Sequence, residues 1–244
     1  MKYIELSEVN STNAYLSDLL KKGGVSENTV VYTHSQTKGK GMGNNKWESE
    51  DDKNALFSIC LSTEVKTEEI FKVSLATSLA IYEYLNSKGV FTNVKWPNDI
   101  YYQKKKLGGI LIENKLDGDV VKNTIIGIGL NLNQEHFSNK LPNPISLKNI
   151  TGNDYDIFEV IKDISEAVEK KLDEIKDQDF AEIRLEYLFK LYGFGKILMW
   201  KFKGIDTDIA GTIIDVKPNG KIVIQAVSGQ ICVCDIKEVK MIED

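Results

Sequence analysis

Arginine is nearly absent: Arg184 is the only one in 244 residues, so almost all of the positive charge is lysine. A phosphate bound by this chain therefore meets flexible point charges rather than the planar fork of a guanidinium. Cysteine is scarce too, and Cys60, Cys232 and Cys234 cannot build a disulfide framework. The two histidines, His34 and His136, lie far apart without zinc-ligand spacing. A reducing, cytoplasmic setting fits these absences. No apolar run approaches the roughly 18 residues needed to cross a bilayer. The opening Met1-Lys2-Tyr3-Ile4-Glu5-Leu6 lacks the apolar stretch and cleavage site of a secretory signal, so no membrane association or export is expected. Acidic residues outnumber Lys plus Arg, 36 to 31, for a formal net charge of −5, which argues against a general polyanion binder. Any basic site must be local.

What is present suits a globular protein. Hydrophobic residues make up 42% and charged residues 27%, and the length allows one large domain, or one large and one small. Asn10-Ser11-Thr12-Asn13 reads as capping residues before a short amphipathic helix that ends at Gly23-Gly24. A strand over 29–34 and a buried strand over 55–61 flank a polar, glycine-bearing loop at 36–53. Loops this long inside a compact domain are uncommon and often functional. Helical spacing predicts a long packed helix over 67–87. Strands over 100–102, 107–114 and 121–132 then read as antiparallel hairpins, with turns at Gln103 to Lys105 and Asp117-Gly118. A loop is expected over 138–152, helices over 156–175 and 179–191, and short strands over 197–202, 209–216, 222–227 and 231–236. The fold class expected is α+β: a mixed, mostly antiparallel sheet packed with helices in residues 1–193, and a small β-barrel in 194–244 that docks on it.

Four segments could carry chemistry. Gly39-Lys40-Gly41-Met42-Gly43-Asn44-Asn45 places backbone amides and ammonium groups where phosphates could converge, although it is neither the dinucleotide fingerprint nor the Walker loop. Lys95-Trp96-Pro97-Asn98-Asp99 is a tight turn whose Asn98 and Asp99 could face a metal-bound triphosphate or an incoming amine. Lys106-Leu107-Gly108-Gly109 and Gly127-Ile128-Gly129-Leu130-Asn131 put glycine inside apolar strands, which signals a close backbone approach by a ligand. Each segment alone also reads as an ordinary loop, turn or strand.

Their order is more specific. With Ser11-Thr12-Asn13 and Gln36-Thr37 they resemble, over residues 1 to about 135, the catalytic domain of the biotin protein ligases, also called biotin–[acetyl-CoA-carboxylase] ligases. Lys-Trp-Pro-Asn-Asp followed by Lys-Leu-Gly-Gly-Ile-Leu-Ile-Glu is the most specific part, and residues 196–244 look like that family's small C-terminal barrel. The resemblance implies a class II synthetase-like biotin/lipoate ligase fold with an SH3-like C-terminal module. It also implies ATP-dependent activation of biotin to biotinyl-5′-AMP and transfer to a lysine of a biotin carboxyl carrier domain of a carboxylase. The Ser-Thr-Asn segment begins at residue 11, which leaves no room for the repressor members' helix-turn-helix, so DNA binding is not expected. The oligomeric state stays open, a homodimer included.

By the same resemblance Lys106 lies between the biotin carboxylate and the α-phosphate, and Lys106, Lys40 and Asp99 form the catalytic set. Biotin is expected at Ser11, Thr12, Asn13, Gln36, Gly39, Lys40, Gly41, Met42, Lys106, Gly109 and Gly127. ATP is expected at Lys40, Trp47, Asn98, Lys106 and Asn131. Mg²⁺ is expected to arrive with ATP near Asn98 and Asp99 rather than in a protein cage. Where the family most often has Arg-Gly-Arg this chain reads Lys40-Gly41-Met42, so the loop is expected to hold the adenylate less tightly, with Lys38 or Lys46 to compensate. Two other readings are a lipoate or octanoate ligase of the same fold, and a non-catalytic module that binds biotin and nucleotide. His34, His136, Cys232 and Cys234 read as structural.

Overall fold

The computed structural model describes residues 1–43 and 45–242; Asn44 of the glycine-bearing loop lies outside the described residues. The larger sheet has seven strands: β1 (Lys2–Val9), β2 (Thr29–Gln36), β3 (Ala55–Lys66), β4 (Asn93–Lys95), β5 (Asp99–Tyr102), β6 (Lys105–Asp117) and β7 (Val120–Leu130). They are ordered β1-β2-β3-β7-β6-β5-β4, with β1 and β2 parallel and every other pair antiparallel. The mixed, mostly antiparallel sheet expected from the strand pattern is therefore present. The parallel pair comes from β1, which the sequence reading passed over; its alternating Lys-Tyr-Ile-Glu-Leu is the pattern of an edge strand with one wet face. Helix α1 (Thr12–Lys21) makes the crossover to β2.

Strands β3 and β7 sit at the centre, covered on both faces, which is why they read as nearly unbroken apolar runs. Alternation sends Val30, Ile59 and Ile126 into the main core, beneath α2 (Phe71–Ser87), α4 (Ile157–Glu174) and α5 (Phe180–Lys190). It sends Val31, Cys60 and Ile125 to the other face, where Leu16 of α1 closes over them. Asp156 and Asp179 cap α4 and α5 through their side chains, as helix starts of this kind require.

Two local expectations are corrected. The segment 138–152 is not all loop: α3 (Leu147–Thr151) forms there, with a Ser146–Asn149 capping box and Gly152 at φ 76° closing it. Ser11, Thr12 and Asn13 do not cap α1 through a side chain. Thr12 and Asn13 are already helical, and their side chains turn into the sheet.

The C-terminal segment forms β8 (Ile197–Phe202), β9 (Ile209–Val216), β10 (Ile222–Ala226), β11 (Ile231–Cys234) and β12 (Val239–Met241), a five-stranded antiparallel sheet ordered β11-β10-β9-β8-β12. It is tied to the larger part by Trp96 Nε1 donating to the Gly220 carbonyl at 2.9 Å and by an ion pair of Arg184 with Asp215 at 2.7 Å. The lone arginine is thus spent on structure. No helix among the described residues is long and apolar enough to cross a membrane.

His34, expected to be an ordinary strand-end residue, joins three segments. Nδ1 lies 2.5 Å from Asp52 at the end of the glycine-bearing loop, and Nε2 lies 2.8 Å from Glu5 on β1. Hydrogen bonds to Glu5 and then Asp52 raise the imidazole above its ordinary 6.5, against a smaller opposing effect of burial. A raised folded-state value means that this stabilisation is complete below the unfolded value and fades as pH climbs through the folded one. The thermal unfolding temperature of the wild type should fall slightly as pH rises above about 6.5, since a side chain 44% exposed is partly screened by solvent. His34→Gln should flatten that dependence; an equal slope in the variant would remove His34 as its source.

Candidate active site

One face of the central strands supplies the floor of a cleft. Ser58, Gly127 and Leu111 stand in one row across β3, β7 and β6, and Leu56, Gly129 and Gly109 in the next. Cross-strand partners share a face, so the three glycines leave a shallow channel on one side of an otherwise bulky sheet. A cleft of about 1250 Å³ lies over it.

Asn13 occupies the space that Gly127 leaves. A Cβ at position 127 would collide with the Asn13 carboxamide. From there Asn13 Nδ2 donates to the Leu111 carbonyl at 3.2 Å and to Glu113 Oε2 at 2.9 Å, while its Oδ1 lies 2.6 Å from Ser58 Oγ. Ser58 is also 2.6 Å from Thr12 Oγ1. Gln36 Oε1 accepts from the Thr12 amide at 2.9 Å and from its hydroxyl at 3.2 Å. Ser11, Thr12, Asn13 and Ser58 are all buried. The result is a largely buried end of the cleft with donors and acceptors held by one another, suited to a small neutral polar group rather than a charge. The sequence reading missed Ser58, the hub of this network. Its only signal was a hydroxyl in the middle of the apolar run Leu56-Phe57-Ser58-Ile59.

The glycine-bearing loop folds over the second row. Gly41 donates to the Asn45 carbonyl at 2.8 Å and Trp47 to the Gly39 carbonyl at 3.1 Å, with an antiparallel bridge between Lys40 and Lys46. The Trp47 indole then lies flat on β7, where a Cβ at Gly129 would come within 2.5 Å of its ring. Gly109 is flanked by Trp47, Asp99 and Lys106, each within 3.5 Å of where its Cβ would be. The glycines do mark a close approach, as expected, but in this structure the groups that approach are Asn13 and Trp47.

Lys106 reaches across Gly109 and pairs with Asp99 at 2.7 Å, the two side chains 33% and 21% exposed. Its Nζ is 5.7 Å from the Trp47 ring centroid, within range of a cation–π contact. Its backbone is held on both sides, the amide by the Asn143 carbonyl at 2.8 Å and the carbonyl by the Ile145 amide at 3.0 Å. Asn98 is fixed as well, its Nδ2 donating to the Ile110 carbonyl at 2.6 Å. Asp99 and Asn98, read as presenting oxygens and an amide to a metal-bound triphosphate or an amine, both line the cleft, with Asp99 also paired to Lys106 and the Asn98 amide nitrogen bonded to the Ile110 carbonyl.

Of the residues singled out in the sequence, the cleft gathers Ser11, Thr12, Asn13, Gln36, Lys40, Gly41, Met42, Trp47, Asn98, Asp99, Lys106, Gly109 and Gly127. Gly39 and Asn131 are not in its lining. Gly39 lies against the Trp47 backbone, where a Cβ would meet the Trp47 carbonyl at 2.5 Å, so it serves the loop's own fold. Asn131 is buried behind the wall, its Nδ2 donating to the Ile145 carbonyl at 3.0 Å, and so steadies the segment beside Lys106. Of the two suggested compensating cations, Lys46 lines the cleft and Lys38 does not. The sequence reading also missed the far wall, which includes Trp200, Lys201, Lys240 and Met241 of the C-terminal sheet and Lys237 on the turn before β12. Nothing local in the sequence says that a module about 100 residues beyond Lys106 folds back onto it.

A family model described as "Biotin/lipoate A/B protein ligase family" matches residues 6–131. The bifunctional ligase/repressor BirA of Bacillus subtilis (strain 168) is 26% identical over 228 residues, which span 91% of this chain and 69% of that protein. A biotin--[acetyl-CoA-carboxylase] ligase of Paracoccus denitrificans is 26% identical over 237 residues, spanning 91% of this chain and 97% of that one. The solved structure of a biotin protein ligase from Aquifex aeolicus in complex with biotin and ATP superposes with a TM-score of 0.79 and 27% identity, covering 100% of this chain and 99% of that one.

Proposed function

The chain belongs to the biotin/lipoate A/B protein ligase family, and from that premise we propose that its cleft activates biotin with ATP and passes it to a lysine of a biotin carboxyl carrier domain. The observation that carries this reading is the union, in one glycine-floored cleft, of a neutral polar pocket at Thr12, Asn13 and Gln36 with a lysine at position 106. The pocket suits the ureido head of biotin, which needs both donors and acceptors; the lysine suits its acid tail.

In the first step a carboxylate oxygen of biotin forms a bond to the α-phosphorus, the bond to the α–β bridging oxygen breaks, and its electron pair leaves with pyrophosphate. Lys106 is a compact cation that can follow charge from the carboxylate to the phosphate oxygens without rearranging. Asp99 holds that ammonium in place beforehand, and Lys40 stands on the loop as a second phosphate-facing cation. In the second step the carrier amine attacks the acyl carbon, AMP leaves, and the amine's proton is lost to solvent. Trp47 offers the nucleotide base an aromatic face next to the same lysine. A single carboxylate at Asp99 with the Asn98 amide beside it fits a Mg²⁺ that takes its remaining oxygens from phosphates and water; it would neutralise charge on the triphosphate. We take residues 1–193 as the ligase unit and 194–244 as a second unit that completes the wall.

The test is pyrophosphate release with ATP and Mg²⁺, in the presence of biotin or of lipoate. Release with biotin and little with lipoate is the expected result. Release with lipoate alone would replace the substrate with a lipoyl acid, and release with neither would leave only a binding module.

A further inference from the structure

Turns between strands normally run over the surface, but the one between β9 and β10 is pressed into the larger unit. Gly220 within it is buried at φ 85°, and a Cβ there would come within 2.8 Å of the Phe71 ring at the start of α2. Phe71 in turn meets Tyr187 of α5 edge-on, with ring centroids 6.0 Å apart. No side chain among the described residues caps α2, and the Pro218 carbonyl takes that part by accepting from the Phe71 amide at 3.1 Å. The Gly220 carbonyl accepts from Trp96 Nε1 at 2.9 Å in a buried bond. Trp96 opens the turn between β4 and β5, which also carries Asn98 and Asp99. The far side of that turn is held by the sheet: Asn98 Nδ2 donates to the Ile110 carbonyl at 2.6 Å, the Ile110 amide donates to the Asn98 carbonyl at 2.9 Å, and Asp99 stands opposite Gly109. The near side follows β4, three residues at the edge of the sheet. There the hold is the Trp96 indole, 9% exposed and bonded to the backbone of the C-terminal sheet's turn.

We propose that the β9–β10 turn is a positioning latch for the reacting centre: through the Gly220 carbonyl and the Trp96 indole it holds the turn that carries Asn98 and Asp99, so that Asp99 keeps the Lys106 ammonium where charge develops. This rests on the ligase reading and adds two positioning residues to it. Gly220 lies outside the cleft lining, and the polar edge of Trp96 is already taken by Gly220. Asp99 follows Trp96 by three residues and lies 2.7 Å from Lys106, so a shift of the turn reaches the ammonium through a single ion pair. A cation that stabilises developing charge must stand in place beforehand, and a small displacement lowers the rate steeply. The polar pocket around Asn13 is held by α1, β3 and β6 and does not use this turn. Loosening the latch should therefore lower turnover and spare the affinity for biotin. The ion pair of Arg184 with Asp215 ties the C-terminal sheet to α5 instead, and so separates simple docking from positioning.

The test uses the full chain. Trp96→Phe removes the indole N–H and keeps an aromatic ring, Gly220→Ala pushes the β9–β10 turn away from Phe71, and Arg184→Gln removes the tie to α5. Each is assayed for biotin-dependent pyrophosphate release below its own measured unfolding temperature. Trp96→Phe and Gly220→Ala should each lower kcat about tenfold, with the KM for biotin changed less than about twofold. Arg184→Gln should lower the unfolding temperature and leave kcat within about twofold of wild type. In an Asp99→Asn background Trp96→Phe should cost less than about twofold more, because the group it acts through is already gone. Unchanged kcat in Trp96→Phe and Gly220→Ala overturns the latch. An equal kcat loss in Arg184→Gln overturns it as well and leaves only docking of the two units, as does a further loss of about tenfold when Trp96→Phe is added to Asp99→Asn. A loss that appears in the KM for biotin instead would make Trp96 a substrate contact, not a positioning residue. Failure of the wild type itself to release pyrophosphate would sink the ligase reading, and it would be seen before any variant is compared.

Discussion

Lys106→Ala is expected to lower adenylate formation by about 10²- to 10³-fold, the usual scale for removing one preorganised charge-stabilising group from a reacting centre. The protein should still fold. The side chain is one-third exposed, and the bonds that hold this part of the chain, from the Lys106 amide to the Asn143 carbonyl and from the Ile145 amide to the Lys106 carbonyl, are backbone bonds that alanine keeps. Asp99, left without its cation, remains in reach of water. The measurement is biotin-dependent pyrophosphate release, alongside thermal unfolding of both proteins. Biotin affinity should fall much less than the rate, since the polar pocket around Asn13 does not involve Lys106. Lys106→Arg separates charge from shape: a broader, planar cation would have to lie over Gly109 between Asp99 and Trp47, and partial activity is expected. Adenylate yield from Lys106→Ala equal to wild type would remove this residue from the chemistry.

Much of this site could be read before any coordinates, because the features that mark it are local. Lys-Trp-Pro-Asn-Asp, the paired glycines at 108–109 and 127–129, and the long polar loop each announce themselves within a few residues. The central strands were legible for the same reason, their apolar runs being the mark of burial on both faces. What escaped was set by distance. Strand β1 is short of apolar residues because only one face is covered, and its pairing partner begins 27 residues after its own first residue. Ser58 looks like a flaw in a core strand until α1 brings Thr12 and Asn13 over it. The glycines were legible as a sign of close approach, but their partners were not, since Trp47 reaches Gly129 only after the loop has folded across two strands. Replacement of the loop's expected arginines by Lys40 and Met42 was visible at once. That Lys46 stands opposite Lys40, and that Lys201 and Lys240 lie along the same cleft, required the fold.

Gly127→Ala should be nearly as damaging as loss of Lys106, through binding rather than chemistry. The methyl group would enter the volume of the Asn13 carboxamide, which is wedged between Ser58 on β3 and Leu111 on β6. Asn13 has no cheap retreat: it lies in the first turn of α1, is 3% exposed, and makes hydrogen bonds to Leu111, Glu113 and Ser58. Either the helix start lifts from the sheet or the amide rotates away, and both leave buried polar groups unpaired at about 1–3 kcal/mol each. Losing that geometry should weaken biotin binding by about 10²-fold, read by calorimetry. Asn13→Ala in the Gly127→Ala background relieves the collision and should recover thermal stability without recovering biotin affinity. That split is the decisive result, since a glycine needed only for strand packing would give back both together.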